Sequence, residues 1–110
     1  MELKIMRNKI LQLIRIYCPN NTRFYWITDN TDSIGNCRSH YCKKLNEYYD
    51  FTIGINKNYA LTHSWEDVRR IALQEIAHVR TAGNPDHEMF YDEFNRLMSK
   101  FDNPAKSQAA

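Results

Sequence analysis

Apolar residues near the N-terminus recur at steps of three and four, the spacing of an amphipathic helix. The residues that form this stripe are Met6, Ile10, Leu13, Ile14 and Tyr17. Pro19, followed by two asparagines, ends the pattern because proline cannot continue a helix. The spacing therefore predicts a first helix over residues 3–17.

Two short strands are predicted next. Residues 23–28 are rich in aromatic and β-branched side chains, and residues 51–55 alternate large apolar residues with small or polar ones. The polar run at 29–33, with Gly35, indicates a turn after the first strand. Residues 36–46 carry only a weak pattern. We expect a small antiparallel sheet.

Two helices are predicted in the C-terminal half of the chain. Ser64, with acidic residues in the turn that follows, is typical of a helix start, and Gly83 ends that helix. The segment 84–86, Asn-Pro-Asp, begins the next helix, whose apolar stripe runs to Phe101. We expect helices at 64–80 and 86–101, joined by a tight turn.

This order of elements predicts an α+β fold with no internal repeat. A chain of 110 residues that is 43% apolar and 25% charged has the size and composition of a single globular domain. We place that domain at residues 1–101 and expect 102–110 to be a disordered tail.

Composition excludes some classes of protein. No apolar run approaches the roughly 18 residues that a membrane span needs, so we expect a soluble, unprocessed protein with no membrane partner. A net charge of +2 gives no support of its own to nucleic-acid binding. The three cysteines are an odd number and indicate reduced thiols in the cytoplasm.

Glu75 is the most informative residue because it lies within the apolar stripe of the helix predicted at 64–80. It follows Val68 by seven positions and Ile71 by four, and it precedes Val79 by four. Burying an isolated carboxylate costs several kcal/mol. Glu75 is therefore expected to be neutral, paired or used in chemistry.

Gln74 and His78 flank this glutamate and share a helical face, since they are four residues apart. The segment 74–78 is a Q-E-x-x-H motif, one residue from the H-E-x-x-H of zinc peptidases. In that motif two imidazoles hold Zn²⁺ and the glutamate takes a proton from the metal-bound water.

His87 is a candidate for a further ligand. It follows His78 by nine positions and precedes Phe90 and Phe94 at helical spacing, so we expect its ring along the buried face. The tight turn between the helices should bring His78 and His87 to one cleft.

Together these motifs resemble the SprT-like family of zincin-fold metallopeptidases, which includes the Spartan proteases and many small phage homologues. The likeness covers residues 1–101. Residues 35–38, Gly-Asn-Cys-Arg, are similar to the family's G-x-C-R stretch, residues 72–78 contain the helical motif, and residues 86–90 are similar to its H-G-x-x-F.

The resemblance implies a zincin-like α+β domain with Glu75 as the general base and His78 and His87 as zinc ligands. Gln74 stands where the family has its first zinc-binding histidine, and Glu88 replaces the glycine after the third ligand. A neutral amide is a poor zinc ligand, so the Zn²⁺ site is incomplete.

A substitute donor could come from Glu75 itself, from Asp86 or Glu88, or from the cluster at 37–42, Cys37, His40 and Cys42. That cluster is spaced too tightly for an ordinary structural zinc site and lacks a fourth donor.

Two hypotheses follow. In the first, the chain is an inactive relative, a pseudoenzyme that binds a protein, a peptide or a nucleic acid. In the alternative, it is a divergent zinc-dependent peptidase in which Glu75 activates water. Arg69, Arg70 and Arg80 form a basic strip that could contact phosphates, although a solvated helix face is the simpler interpretation. The resemblance also suggests a phage-encoded protein in the host cytoplasm.

Overall fold

Four helices and a three-stranded sheet form an α+β domain in the computed structural model, which describes residues 1–29, 32–84 and 86–102. The elements are α1 (Leu3–Tyr17), β1 (Arg23–Ile27), β2 (Gly35–Cys42), β3 (Glu47–Asn56), α2 (Lys57–Thr62), α3 (Trp65–Arg80) and α4 (His87–Asp102). Residue 102 is helical, and the rest of the predicted tail lies outside the described residues, as do Pro85 and residues 30–31 of the predicted turn.

The three long helices confirm the predicted spans to within one residue. Ser64 caps α3 as expected, because its side-chain oxygen accepts a hydrogen bond from the backbone N–H of Asp67 over 3.3 Å. The apolar stripes of α1, α3 and α4 meet in one core. Met6, Ile10, Leu73, Ile76 and Leu97 are among the side chains fully buried there.

The sheet is mixed, so the prediction of an antiparallel sheet is wrong for β1. The strand order is β1-β3-β2, with β1 parallel to β3 and β2 antiparallel to it. Because the β2–β3 hairpin occupies one edge of β3, β1 pairs with the other edge. β3 is therefore the central strand, and its residues Ile53 and Ile55 are 0% exposed.

β2 and α2 fall where the sequence predicted no element. β2 is an edge strand with side chains that are exposed or only partly buried, so it lacks the apolar alternation of a core strand. His40, from the weakly patterned stretch 36–46, lies in β2 opposite Tyr49. α2 has six residues and begins at Asn56, whose side chain accepts a hydrogen bond from the N–H of Tyr59.

An ion-pair cluster ties the end of α3 to α1 and α4. The Arg80 Nε donates to Glu93 Oε1 over 2.5 Å, and its Nη1 donates to the carbonyl of Tyr17 over 2.8 Å. Arg96 donates to the same Oε1 over 2.6 Å. Hydrogen bonds from Arg96, and then from Arg80, lower the pKa of Glu93 to about 2.

Glu93→Gln should lower the free energy of unfolding by about 1 kcal/mol at pH 7, a small value because solvent screens the partly exposed arginines. Because the pKa of Glu93 is lowered, the ion pairs contribute their full stability above pH 4.5, the value in the unfolded state. This stability is lost as pH falls toward 2. Urea unfolding at pH 7 and pH 3 measures it. Asp92→Asn, which changes an exposed neighbouring carboxylate, is the control. Equal stability of wild type and Glu93→Gln at pH 7 would contradict the role of the cluster.

Candidate functional site

Glu75 is buried on the core-facing side of α3, as its position in the apolar stripe predicted. It is 6% exposed and is the one buried charged side chain among the described residues. Its neighbours along the helix, Ala72, Ile76 and Val79, are buried apolar residues. α3 therefore carries a carboxylate on a core-facing side whose other residues are apolar.

Gly35 allows the start of β2 to lie directly against this carboxylate. A Cβ atom added at Gly35 would stand 3.0 Å from Glu75 Oε2 and 2.8 Å from Ile71 Cγ2. Both distances are shorter than ordinary van der Waals contact. Glycine is therefore required at this point of closest approach between strand and helix.

Within the described residues, no hydrogen bond or ion pair reaches the Glu75 carboxylate. Burial raises its pKa from the ordinary 4.5 to about 7. A carboxyl group with such a value can gain or lose a proton near neutral pH. This is the electrostatic property that a general base requires.

The carboxylate lines a cleft of about 330 Å³ between the β2–β3 hairpin and the turn after α3. We call this the hairpin cleft. Its other lining residues come from four segments: Cys37 and Ser39 of β2, Tyr48 and Phe51 of β3, His78 of α3, and Ala82 and Gly83 of the turn. Glu75 and His78 thus share one solvent-accessible space.

A second cleft, of about 430 Å³, lies on the other side of His78. We call it the helix-turn cleft. Gln74, His78 and His87 all line it, together with Phe90 of α4. The expectation that the turn brings His78 and His87 to one cleft is confirmed.

The orientation predicted for His87 is wrong. Its side chain is exposed rather than directed along the buried face. His87 is the first residue of α4, whereas the part of α4 that packs on the core begins with Phe90 and Phe94. The histidine therefore lies at the rim of the helix-turn cleft.

His78 joins the two clefts. Its ring stacks on the ring of Phe90, with centroids 4.1 Å apart and planes inclined by 17°. His78 is exposed as a residue, and partial burial of its ring lowers its pKa, which favours the neutral imidazole. A neutral imidazole can donate or accept a hydrogen bond, and it can bind a metal.

The donor set falls short of a three-ligand zinc site. In the described part of the chain, no three His, Cys, Asp or Glu side chains are grouped so that they could hold a metal ion. The helix-turn cleft is lined by two imidazoles, the amide of Gln74 and the carboxylate of Asp86. Catalytic zinc sites use three charged or imidazole ligands, and the described donors are not grouped closely enough to form such a set.

The possible substitute donors are dispersed. Asp86 lines the helix-turn cleft, and Glu88 is exposed, its backbone N–H bonded to the Asp86 side chain. Of the 37–42 cluster, only Cys37 lines the hairpin cleft. All three cysteines are free thiols. Burial, and then the charge of Glu75, raises the pKa of Cys37 to about 11, which keeps this thiol protonated.

Sequence reasoning missed Tyr48 and Gly83 as parts of the site. A Cβ atom at Gly83 would lie 3.1 Å from Tyr48 Cε2, so the tyrosine covers the turn closely. Gly83 also has a φ of 83°, a conformation that favours glycine. The contact joins residues that are 35 positions apart in the sequence, so no local sequence pattern predicts it.

The basic strip is engaged in helix packing. The guanidinium of Arg69 lies over the ring of Phe101 at 5.2 Å, and that of Arg70 over Phe94 at 5.9 Å. Arg80 belongs to the ion-pair cluster described above. These contacts join α3 to α4 and α1.

Comparison with known protein families, with curated proteins and with solved structures finds no match to this chain. The described helices include none with the length and apolar character needed to cross a bilayer. The fold and the site thus define a small α+β domain with a buried glutamate at a cleft.

Proposed function

We propose that this chain is a SprT-like zincin-fold domain with a degenerate zinc site, and that it binds extended peptides without cleaving them. The observation that carries the proposal is the position of the hairpin cleft, which lies alongside an edge strand of the sheet. Cys37 and Ser39 of that strand line the same space as Glu75 and His78.

β2 offers backbone hydrogen bonds to a partner. It pairs with β3 along one side, and in the described residues its other side pairs with no strand. An extended peptide can add to such an edge, and alternate side chains of the added strand then face the cleft. Main-chain hydrogen bonds give the affinity in this mode of recognition, and the cleft gives the specificity.

The replacement of a ligand supports binding over catalysis. Gln74 occupies the position of the family's first zinc-binding histidine, and removing one of three ligands lowers metal affinity steeply. The packing of α3 does not depend on that ligand. The engagement of Arg69, Arg70 and Arg80 within the domain favours a peptide over a nucleic acid as the partner.

The alternative function, a divergent zinc-dependent peptidase, is favoured by one observation. Glu75 has a pKa of about 7 and lines a solvent-accessible cleft with His78, as a general base would. In this case Zn²⁺ would have to bind through His78 and His87 with a donor other than an imidazole at position 74.

Two measurements on the wild-type chain separate these functions. A randomised library of short, terminally blocked peptides is added to ¹⁵N-labelled protein, and amide chemical shifts are followed. We expect shifts along β2 and around the hairpin cleft, with β1 at the opposite edge of the sheet as an internal control. Zinc per chain, measured after purification without chelator, should be substoichiometric.

Other outcomes would contradict the proposal. Shifts along β1 alone, or no shifts at all, would remove the peptide-binding function. One tightly held zinc per chain, with zinc-dependent cleavage of the library, would establish the peptidase instead.

A further inference from the structure

The hairpin cleft contains a charge for which the described part of the fold supplies no partner. Glu75 is more than nine-tenths buried, being 6% exposed, and its carboxylate lines the cleft without a hydrogen bond or an ion pair from any described residue. An unpaired buried carboxylate destabilises the folded state. A ligand that brings a positive charge to this point would offset that destabilisation.

The rest of the cleft wall carries no compensating cation. Among the described residues, no lysine or arginine lines the cleft. Glu75 is the one carboxylate among the described residues that line the cleft. Ser39 and Tyr48 add uncharged hydroxyls. Glu75 therefore sets the sign of the electrostatic potential in the cleft.

The shape of the cleft suits a side chain with an apolar stem and a charged tip. Tyr48 and Phe51 contribute aromatic rings to the lining, and the small residues Ala82 and Gly83 leave room beside them. Glu75 lies on the buried side, where β2 meets α3 at Gly35. Lysine and arginine place methylene groups along apolar surface and keep the charge at the end.

We propose that the hairpin cleft is a specificity pocket for a basic side chain, lysine or arginine, of the bound peptide, with the Glu75 carboxylate accepting a hydrogen bond from its cationic tip. This inference rests on the proposed function, because it concerns one side chain of the peptide added at β2. A hydrogen bond between two charged groups is about twice as strong as a neutral one.

The test uses three peptide libraries that differ only in a fixed central residue: lysine, norleucine or glutamate. Norleucine keeps most of the lysine stem and lacks the ammonium. Affinity for the wild-type chain, measured by fluorescence anisotropy, should be at least about tenfold higher for the lysine library than for the norleucine library. The glutamate library should bind most weakly.

Two variants assign the preference to one carboxylate. Glu75→Gln keeps the shape of the side chain and should abolish the lysine preference, so that the lysine and norleucine libraries bind this variant with equal affinity. Glu66→Gln changes an exposed carboxylate in the first turn of the same helix, and it should leave the preference intact.

The outcomes separate this inference from the proposed function. Equal affinity for all three libraries, with shifts along β2, would overturn the specificity pocket and keep the peptide-binding function. A lysine preference that survives Glu75→Gln would also overturn it. Absence of binding by every library would overturn both proposals. If Zn²⁺ alone displaces the lysine peptides and Glu75→Gln abolishes that displacement, the cleft is a metal site and the inference is wrong.

Discussion

Replacing Gln74 with histidine should raise the zinc affinity of the chain on the order of a hundredfold. Residue 74 and His78 are four positions apart on α3, and both line the helix-turn cleft together with His87. The variant would therefore place three imidazoles at one cleft. His87 lies at an exposed rim, so its side chain can adjust to a metal held by α3.

Calorimetric titration with Zn²⁺ measures this affinity directly, and thermal unfolding provides a second readout. A metal that binds only the folded state raises stability by about 2.7 kcal/mol when its concentration is a hundred times Kd. The control is Gln12→His, which adds an imidazole at an exposed glutamine of α1. If Gln74→His gains neither zinc nor a metal-dependent rise in Tm, the cleft differs from a zinc site by more than one ligand. Tight zinc binding by the wild type would contradict the degenerate site itself.

The free energy of unfolding of the wild type should fall as pH rises from about 4.5 to about 7, because Glu75 keeps its proton more firmly in the folded state. Below this range the carboxyl is protonated in both states and imposes no penalty. Above it the folded state holds a buried charge. The shift corresponds to a loss of about 3 kcal/mol at most.

Glu75→Gln should remove this slope, since the amide has the same shape and does not titrate. The variant should be more stable than the wild type at pH 8 by as much as about 3 kcal/mol and nearly equal to it at pH 4. Urea unfolding across this pH range measures the difference. Glu66→Gln should follow the wild-type curve. A wild-type curve without the fall would show that the Glu75 carboxylate has a partner or is solvated.

The helices were predictable because their signals are local. The apolar period of α1, the Ser64 cap of α3 and the position of Glu75 in its stripe are all contained within one or two helical turns of sequence. Each of these features depends on residues within the element itself. Tertiary packing then buried the stripes that the sequence displayed.

The sheet and the full cleft were not predictable for the opposite reason. β2 has few apolar residues because it is an edge strand, and the parallel pairing of β1 depends on which side of β3 the hairpin occupies. The contact of Tyr48 with Gly83 and that of Gly35 with Glu75 join distant parts of the chain. The orientation of His87 was predicted wrongly because the residue has the spacing of the apolar stripe but lies at the end of its helix, where it does not pack on the core.

The common cleft of Gln74, His78 and His87 has a genetic consequence. Glutamine and histidine codons share their first two bases, so a single nucleotide change at codon 74 exchanges an amide for an imidazole at this cleft. Gly35 and the inward face of α3 would be untouched by that change, and the scaffold around Glu75 would remain as it is. A lineage of such domains could therefore lose and regain a metal ligand by single substitutions, each of which leaves the fold unchanged.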